Sequence, residues 1–369
     1  MLRRRIEERI ARQKAFFASR NKNETLILNW SNLYYLSLYF VRKLGEYTPE
    51  ELYNESVLDG IIDDYLVKMK EHITGTFKYE DDLVPTPDIF FDIGTVTSSM
   101  GGVPAVRAGE TIWCMPVIES WDCIEKLRFN PDSIWIRLHI LAYQRLLDRW
   151  EGDFCPIPYL HHSPLDGAWS LRGDRMLYDF YDYPDMVKKL VDWCAEWSIR
   201  VERHIAANTK APEGLSRGVW GVVLPEGAVF VNGDPIDLIS GQQHREFDKP
   251  YTEKLFTSTG GGFYHHHALG IRQAANVSKT KGLYVQNIYT DPNQPVPAEI
   301  MIRDERVRQE VIGASMEAPI HLTGDFYPFF DELLPILREG RFILRCEGDN
   351  ESEFGEMLDK LNRVRNNRP

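Results

Sequence analysis

Residues 283–326 read LYVQNIYTDPNQPVPAEIMIRDERVRQEVIGASMEAPIHLTGDF, and they contain two short apolar stretches with an amphipathic stretch between them. The first apolar stretch, LYVQNIYTDP, ends in Asp-Pro, and the second, APIHLTGDF, contains Gly-Asp near its end. The intervening IRDERVRQEVIGASM has the pattern of an amphipathic helix. This order predicts a strand, a helix and a strand, which together form one unit of a parallel sheet.

The same alternation continues in both directions from residue 283. Long amphipathic stretches are predicted helices, and short apolar ones that end in Gly, Pro, Asp or His are predicted strands. About eight strands with helices between them predict an α/β fold, a (β/α)8 TIM barrel, with an open doubly wound sheet as the alternative. No GxGxxG or Walker sequence favours that alternative. Besides the two strands above, we predict strands at residues 84–94, 111–120, 154–164, 218–234, 261–270 and 341–349.

Two regions are expected. Residues 1–80 are rich in charge and in helical patterns, including a capping box at Thr48 and Glu51, and we predict an N-terminal helical extension there. Residues 81–369 would form the barrel.

Bulk properties exclude two classes of partner. The net charge of −12 argues against binding to nucleic acid, which requires a basic surface. No apolar run approaches the roughly 18 residues of a membrane-spanning helix, so no membrane partner is expected. The five cysteines form no CxxC pair, which is typical of reduced thiols in a cytoplasmic protein. A homodimer remains open.

Polar residues at the predicted strand ends are the candidates for chemistry, because active sites of TIM barrels lie where the strands end. Asp92 is one such residue. For the others we predict three roles. The catalytic candidates are Asp234, His161 and Glu226, and the substrate-binding candidates are His162, Tyr264, His321 and Asp325.

The stretch GGGFYHHHALG at residues 260–270 carries three of the ten histidines. Because side chains alternate along a strand, His265 and His267 should share one face while His266 lies on the other. A His-x-His pair at a barrel rim can bind one metal ion through neutral imidazoles. The alternative is that these histidines bind carbonyls, acidic residues or substrate oxygens without a metal.

Three segments resemble the uroporphyrinogen decarboxylase superfamily. They are SPLDGAWSLRGDRMLYDFYDYPDMVKKLVDWCAEW, VFVNGDPIDLISGQQHREFDKPYTEKL and HHHALG, the last at the place of a family "HSCG"-like strand. The second segment matches at Asp234, Ser240, Phe247 and Pro250. The resemblance covers about residues 80–348 and implies a (β/α)8 barrel. It also implies one of two activities, decarboxylation of porphyrinogens or zinc-dependent methyl transfer to corrinoid proteins or thiols.

The methyltransferase branch of this superfamily holds zinc with one His and two Cys. The resemblance places Leu269 where one of those cysteines belongs and Cys346 where the other belongs. We therefore expect a metal site, with zinc as the implied metal, formed by His265, His267 and Cys346, in which Glu226, Asp234 or His321 could also take part. The corrinoid would be carried by a partner protein, since the chain has no DxHxxG-type sequence.

The resulting prediction is a methyltransferase that moves a methyl group from a small substrate, such as a methoxylated aromatic ring, to a corrinoid protein. A decarboxylase or lyase acting on a carboxylated substrate is the first alternative. It is weakened for porphyrinogens because only Arg172, Arg272 and Arg345 lie near predicted strand ends. A non-catalytic binding barrel is the second alternative, and Leu269 favours it.

Overall fold

Seven parallel strands form one sheet, and their order across it is Glu24–Asn29, Arg341–Cys346, Ile320–Gly324, Leu283–Tyr289, Gly262–His267, Val229–Asn232 and Leu160–His162. In this computed structural model the described residues are 2–30, 39–43, 46–89, 91, 93–105, 113–291, 293–348 and 350–366. The strands are β1 Glu24–Asn29, β2 Val103–Ala105, β3 Trp113–Met115, β4 Leu160–His162, β5 Gly218–Val219, β6 Val222–Val223, β7 Val229–Asn232, β8 Gly262–His267, β9 Leu283–Tyr289, β10 Ile320–Gly324 and β11 Arg341–Cys346.

Helices precede, connect and follow these strands. The α-helices are Leu2–Ala18, Tyr39–Lys43, Pro49–Leu52, Glu55–Thr76, Ile93–Ser99, Ile134–Leu147, Pro164–Arg172, Met176–Asp182, Pro184–Asn208, Gly241–Gln243, Lys249–Ser258, Ala274–Val277, Pro297–Arg303, Glu305–Glu317, Phe330–Leu337 and Glu351–Asn366. Short 3-10 helices span Trp121–Lys126, Asp234–Asp237, Ala268–Gln273 and Tyr327–Phe329, and a π-helix spans His244–Asp248. None of the helices in the described ranges is long and apolar enough to cross a membrane.

The sheet closes through an irregular eighth segment between β1 and the residues that lead into β4. The Asp82 amide donates to the carbonyl of Ile27 at 2.8 Å, which joins the segment to β1. On its other side, the amides of Cys155 and Ile157 donate to the carbonyls of Pro85 and Pro87 at 2.8 and 3.0 Å. The two prolines have no N–H and cannot donate to a ladder, so the segment lacks the pattern of a regular strand. The predicted (β/α)8 barrel is confirmed.

Two strand predictions need correction. Residues 24–29 were expected inside a helical extension, but they form β1, which pairs along its whole length with β11. Residues 111–120 were expected to supply a barrel strand. Their described part instead contains β3, which pairs in antiparallel fashion with β2 outside the main sheet. The sequence ETLILN is too short to show a period, and both of its faces are buried, so periodicity could not identify it.

Alternation along the strands separates an interior layer from an exterior layer. The interior cluster includes Leu26, Phe230, Phe263 and Ile343, together with residues of the helix Glu55–Thr76. The exterior cluster on β9, β10 and β11 packs against the helices that follow them, through residues such as Leu344. Both faces of the sheet are therefore buried, as in other parallel barrels.

Candidate metal centre at the mouth of the barrel

The interior face of the sheet becomes polar near the carboxyl ends of five neighbouring strands. Each of these strands contributes one polar residue, and each such residue is the register partner of the next one across the sheet, so the five side chains lie side by side. All five are almost fully buried. The layer consists of His162, Asn232, His265, Asn287 and His321.

Three side chains above and within this layer converge on one point. Asp234 comes two residues after the end of β7, while His265 and His267 come from β8. One ligand atom from each lies within 4.8 Å of the other two. The distance from His267 Nε2 to Asp234 Oδ1 is 3.4 Å. A tetrahedral zinc ion with bonds of about 2.0 to 2.2 Å would separate its ligand atoms by roughly 3.4 Å, so this pair has the required spacing.

Asn287 fixes the orientation of His265. The Asn287 amide nitrogen donates to the His321 carbonyl at 3.0 Å and to Thr323 Oγ1 at 3.2 Å, so its oxygen faces His265. That oxygen lies 2.5 Å from His265 Nδ1, which must therefore carry the proton. Burial, followed by the neighbouring charge of His267, lowers the pKa of His265 to about 4. His265 is thus neutral, with the lone pair of Nε2 available to a metal ion.

Asp291 forms an ion pair with His267. Its carboxylate lies 2.7 Å from His267 Nδ1, which leaves Nε2 directed at Asp234. Burial alone lowers the pKa of His267, but Asp234, Asp291 and Asp237 outweigh it and raise the pKa to about 9. Although burial opposes ionisation of Asp234, the hydrogen bond from His267 and the positive charge of His267 hold its pKa below the ordinary value.

A second polar group adjoins the cluster on the side of β4. His162 Nε2 lies 2.8 Å from Thr97 Oγ1, and His162 Nδ1 lies 2.9 Å from the carboxylate of Asp166. Asn232 donates to the same carboxylate at 3.1 Å. The helix Pro164–Arg172 begins here because Ser163 caps its first turn. Of the two neighbours His161 and His162, His162 is the one on the interior face.

Cys346 does not join the histidines. It is 1% exposed and belongs to the exterior cluster, whereas its neighbour Arg345 is on the interior face. Burial raises the pKa of its thiol well above the usual value, which disfavours the thiolate that binds metals. The predicted set of His265, His267 and Cys346 is therefore corrected to Asp234, His265 and His267.

Two other predicted site residues also lie on the exterior face. His161 Nε2 is 2.8 Å from Glu202 on the helix Pro184–Asn208, and His161 is fully buried. Tyr264 donates its hydroxyl hydrogen to Asp248 at 2.8 Å and is 2% exposed. Both side chains anchor helices to the outside of the sheet, so the catalytic role predicted for His161 and the substrate contact predicted for Tyr264 are corrected.

The remaining predictions divide by position. Glu226 precedes β7 and lies at the opposite end of the barrel from the mouth, because β5 and β6 form a separate hairpin and not a barrel strand. Asp325 follows β10 at the mouth, but it is exposed and accepts a hydrogen bond from the Tyr327 amide. His321 lies in the buried polar layer next to Asn287. The predicted strand-end residue Asp92 falls outside the described residues.

Sequence reasoning missed the residues that orient the ligands, above all Asn287. A signal was present, because Asn287 and Tyr289 share a face of β9 and an amide side chain inside a barrel requires polar partners. The cluster presents two imidazoles and one carboxylate. This donor set suits a divalent ion with coordination positions left for water or substrate.

One comparison with known proteins, that with solved structures, supports the fold. No protein-family model matches the sequence, and no curated protein matches it. Among solved structures, a methyltransferase from Methanosarcina mazei is similar over 95% of this chain and 97% of its own, with a TM-score of 0.59 and 10% sequence identity. At this identity the likeness establishes a shared barrel fold.

Proposed function

We propose that this protein is a metal-dependent methyltransferase that binds zinc through Asp234, His265 and His267. The observation that carries the proposal is the convergence of these three ligand atoms at the mouth of the barrel. The orientation of each histidine by a partner, Asn287 or Asp291, supports it, since metal-binding histidines have such partners. The sequence resemblance and the fold shared with a methyltransferase favour methyl transfer over other metal-dependent reactions.

The donor set fits zinc by its chemistry. Catalytic zinc commonly has three protein ligands drawn from His and carboxylate, and it keeps one position for water or substrate. When bound, the ion acts as a Lewis acid that stabilises the oxygen, nitrogen or sulfur from which the methyl group departs. The carboxylate of Asp234 offsets part of the ion's charge.

The side chains around the cluster prepare this chemistry. Asn287 keeps the Nδ1 proton of His265 in place, and Asp291 pairs with Nδ1 of His267, so that Nε2 of His267 faces Asp234. The Asp234 side chain is about half exposed, so the cluster can be reached from outside. A small methyl donor would bind against the cluster, and a corrinoid carried by a partner protein would be the acceptor. Cobalt(I) of such a corrinoid would supply the electron pair for the new bond to the methyl carbon, and the donor atom would keep the pair of the broken bond.

Metal content is the first test. Protein purified without added metal should contain about one zinc per chain, and alanine at Asp234, His265 or His267 should remove it. Cys346→Ala is the matched control and should keep its zinc. Iron must be measured in the same samples, because two histidines and one carboxylate also suit Fe(II). A metal-free protein, or one whose metal survives these substitutions, contradicts the proposed site.

Methyl transfer is the second test. Zinc-loaded protein is incubated with cob(I)alamin and a panel of O-, N- and S-methylated small molecules, and methylcobalamin is followed by its absorbance. We expect a product for at least one donor, and its loss on chelation. If the zinc site is present but decarboxylation is the activity found and survives chelation, the decarboxylase alternative replaces the proposal.

A further inference from the structure

Arg345 is a buried cation inside the barrel with unused hydrogen-bond donors. Its residue is 1% exposed, and its Nη2 lies 2.8 Å from the Glu347 carboxylate. Its Nε and Nη1 have no hydrogen-bond partner within the described part of the chain. A buried donor without a partner is costly, so such groups are expected to meet a ligand or water.

Three aromatic rings surround the guanidinium. Its central carbon lies 4.3 Å from the ring centre of Trp30, 5.0 Å from that of Trp220 and 5.5 Å from that of Tyr289. Rings stacked on a guanidinium cover its faces, whereas its N–H groups point outward in its plane. The aromatic contacts therefore hold Arg345 in position without using the free N–H groups.

The arginine lies beside the candidate metal centre. Trp220 and Tyr289 also contact His265, with ring centres 5.0 and 5.6 Å apart. The positive charge of Arg345 contributes to the lowered pKa of His265 and of His321. A second buried donor or acceptor, His321 Nε2, likewise has no partner among the residues described. One small ligand could thus touch both groups and the metal ligands.

A small cavity lies next to the same rings. It has a volume of about 20 Å³ and is lined by Trp30, Trp220, Tyr65 and Asp88 together with aliphatic side chains. A ligand larger than water therefore requires these side chains to move apart. Burial raises the pKa of Asp88 to about 7, although Arg345 lowers it. Near neutral pH the Asp88 carboxyl in the cavity is therefore only partly ionised.

We propose that Arg345 binds the carboxylate of a small aromatic substrate whose other end faces Asp234, His265 and His267. A guanidinium pairs with a planar carboxylate through in-plane N–H groups, and the rings of Trp30 and Trp220 offer apolar surface for an aromatic body. The inference rests on the proposed function only for the reacting end. The carboxylate contact is a binding property and can be measured without any methyl transfer.

The experiment compares benzoate with its neutral analogue benzamide by titration calorimetry on the zinc-loaded protein. We expect benzoate to bind and benzamide to bind at least about tenfold more weakly, because a charge-assisted hydrogen bond is lost. Arg345→Met should reduce benzoate affinity by at least about tenfold with unchanged zinc content, and Arg345→Lys should lose less. Equal binding of the two probes, or unchanged benzoate affinity in Arg345→Met, overturns the proposal.

Arg341→Met is the matched control. Arg341 is on the same strand with the same 1% exposure, but it lies at the other end, where it donates to the Phe16 carbonyl. Its replacement should leave benzoate binding unchanged. Chelated protein separates the metal from the arginine. If benzoate binding disappears on chelation but survives Arg345→Met, the anion binds to the metal and the proposal is overturned. If Arg345-dependent binding is retained but no methyl transfer is found, only the proposed function is contradicted.

Discussion

Gln286 and Asn287 are neighbours in β9, yet they belong to opposite faces of the sheet. Asn287 lies 2.5 Å from His265 Nδ1 in the interior, whereas Gln286 lies 2.8 Å from His266 Nε2 on the exterior. Both are fully buried. Substitutions at these two positions can therefore be compared. A change at Asn287 removes the partner that orients His265, whereas a change at Gln286 removes a buried amide that does not contact His265.

Asn287→Leu should weaken zinc binding by about 10- to 100-fold, because His265 loses the acceptor that fixes its proton on Nδ1. Competition with a chromophoric chelator measures the affinity. Gln286→Leu is the control and should leave the affinity unchanged. Equal affinities of wild type and Asn287→Leu would show that His265 is not a ligand or needs no orientation.

His139 illustrates a buried histidine with a structural role. It is 5% exposed on the helix Ile134–Leu147 and stacks on Tyr143 with ring centres 5.7 Å apart. Burial lowers the pKa of its imidazole from 6.5 to about 4. At pH values between these two pKa values, His139 is protonated in the unfolded chain but not in the folded chain. The free energy of unfolding therefore falls as the pH falls through this range.

His139→Gln should remove this dependence. As the pH is lowered from 7 to 4, wild type should lose up to roughly 3 kcal/mol of unfolding free energy relative to the variant. Urea unfolding at several pH values measures both proteins, and a constant offset from poorer packing does not affect the comparison. Parallel stability curves would mean that His139 is protonated in the folded state.

The residue-scale predictions from sequence succeeded where strand alternation alone was needed. His265 and His267 do share the interior face, while His266 is outside. They failed for Cys346, because every residue of RFILRC is buried and a strand buried on both sides does not reveal which parity faces the interior. Asp234 was predicted as a catalytic group. It lies beside the histidines because the loop that follows β7 comes close to the end of β8.

At the scale of elements, the N-terminal helix Leu2–Ala18 supports the irregular strand that closes the barrel. Gln13 on this helix is fully buried and donates to the carbonyls of Asp82 and Gly221 at 2.8 and 2.6 Å. Its side-chain oxygen accepts from the Val223 amide at 2.7 Å. The Gln13 side chain thus hydrogen-bonds to three backbone groups, one in the segment of residues 81–87 and two in the hairpin of β5 and β6.

Gln13→Ala should therefore lower the free energy of unfolding by about 3 kcal/mol, since three buried backbone groups lose their partner. Chemical denaturation monitored by tryptophan fluorescence measures the change. The control is Gln309→Ala, which removes an exposed glutamine from the helix Glu305–Glu317 and should cost less than about 0.5 kcal/mol. Similar losses in the two variants would contradict this role of the helix.

The element pattern was predictable from residue 160 onward, where each barrel strand is followed by a helix with a clear apolar face. It was not predictable near the amino terminus. Residues 81–87 contain two prolines and pair without forming a regular ladder, while β1 lies between charged helical sequences. Neither segment has a local signal, because its conformation depends on strands that lie far along the chain.

At the scale of the whole molecule, barrel closure makes residues 1–80 part of the fold and not an appendage. β1 lies between β11 and the segment 81–87, and its residues from Thr25 to Asn29 are all buried. A chain that begins at residue 81 would lack β1 and the helix that holds Asp82. Both edges of the open sheet would then expose unpaired N–H and C=O groups, and the interior cluster would reach solvent.

We therefore expect residues 81–369 alone to show no cooperative thermal unfolding and to aggregate. Near-ultraviolet circular dichroism and size-exclusion chromatography measure this outcome. Residues 1–80 added as a separate chain should restore part of the native signal, because β1 can pair in trans with β11. The same fragment carrying Leu26→Asp and Leu28→Asp should not, since it would place two charges in the barrel interior. If residues 81–369 unfold cooperatively on their own, residues 1–80 are a separable extension and the barrel closes without β1.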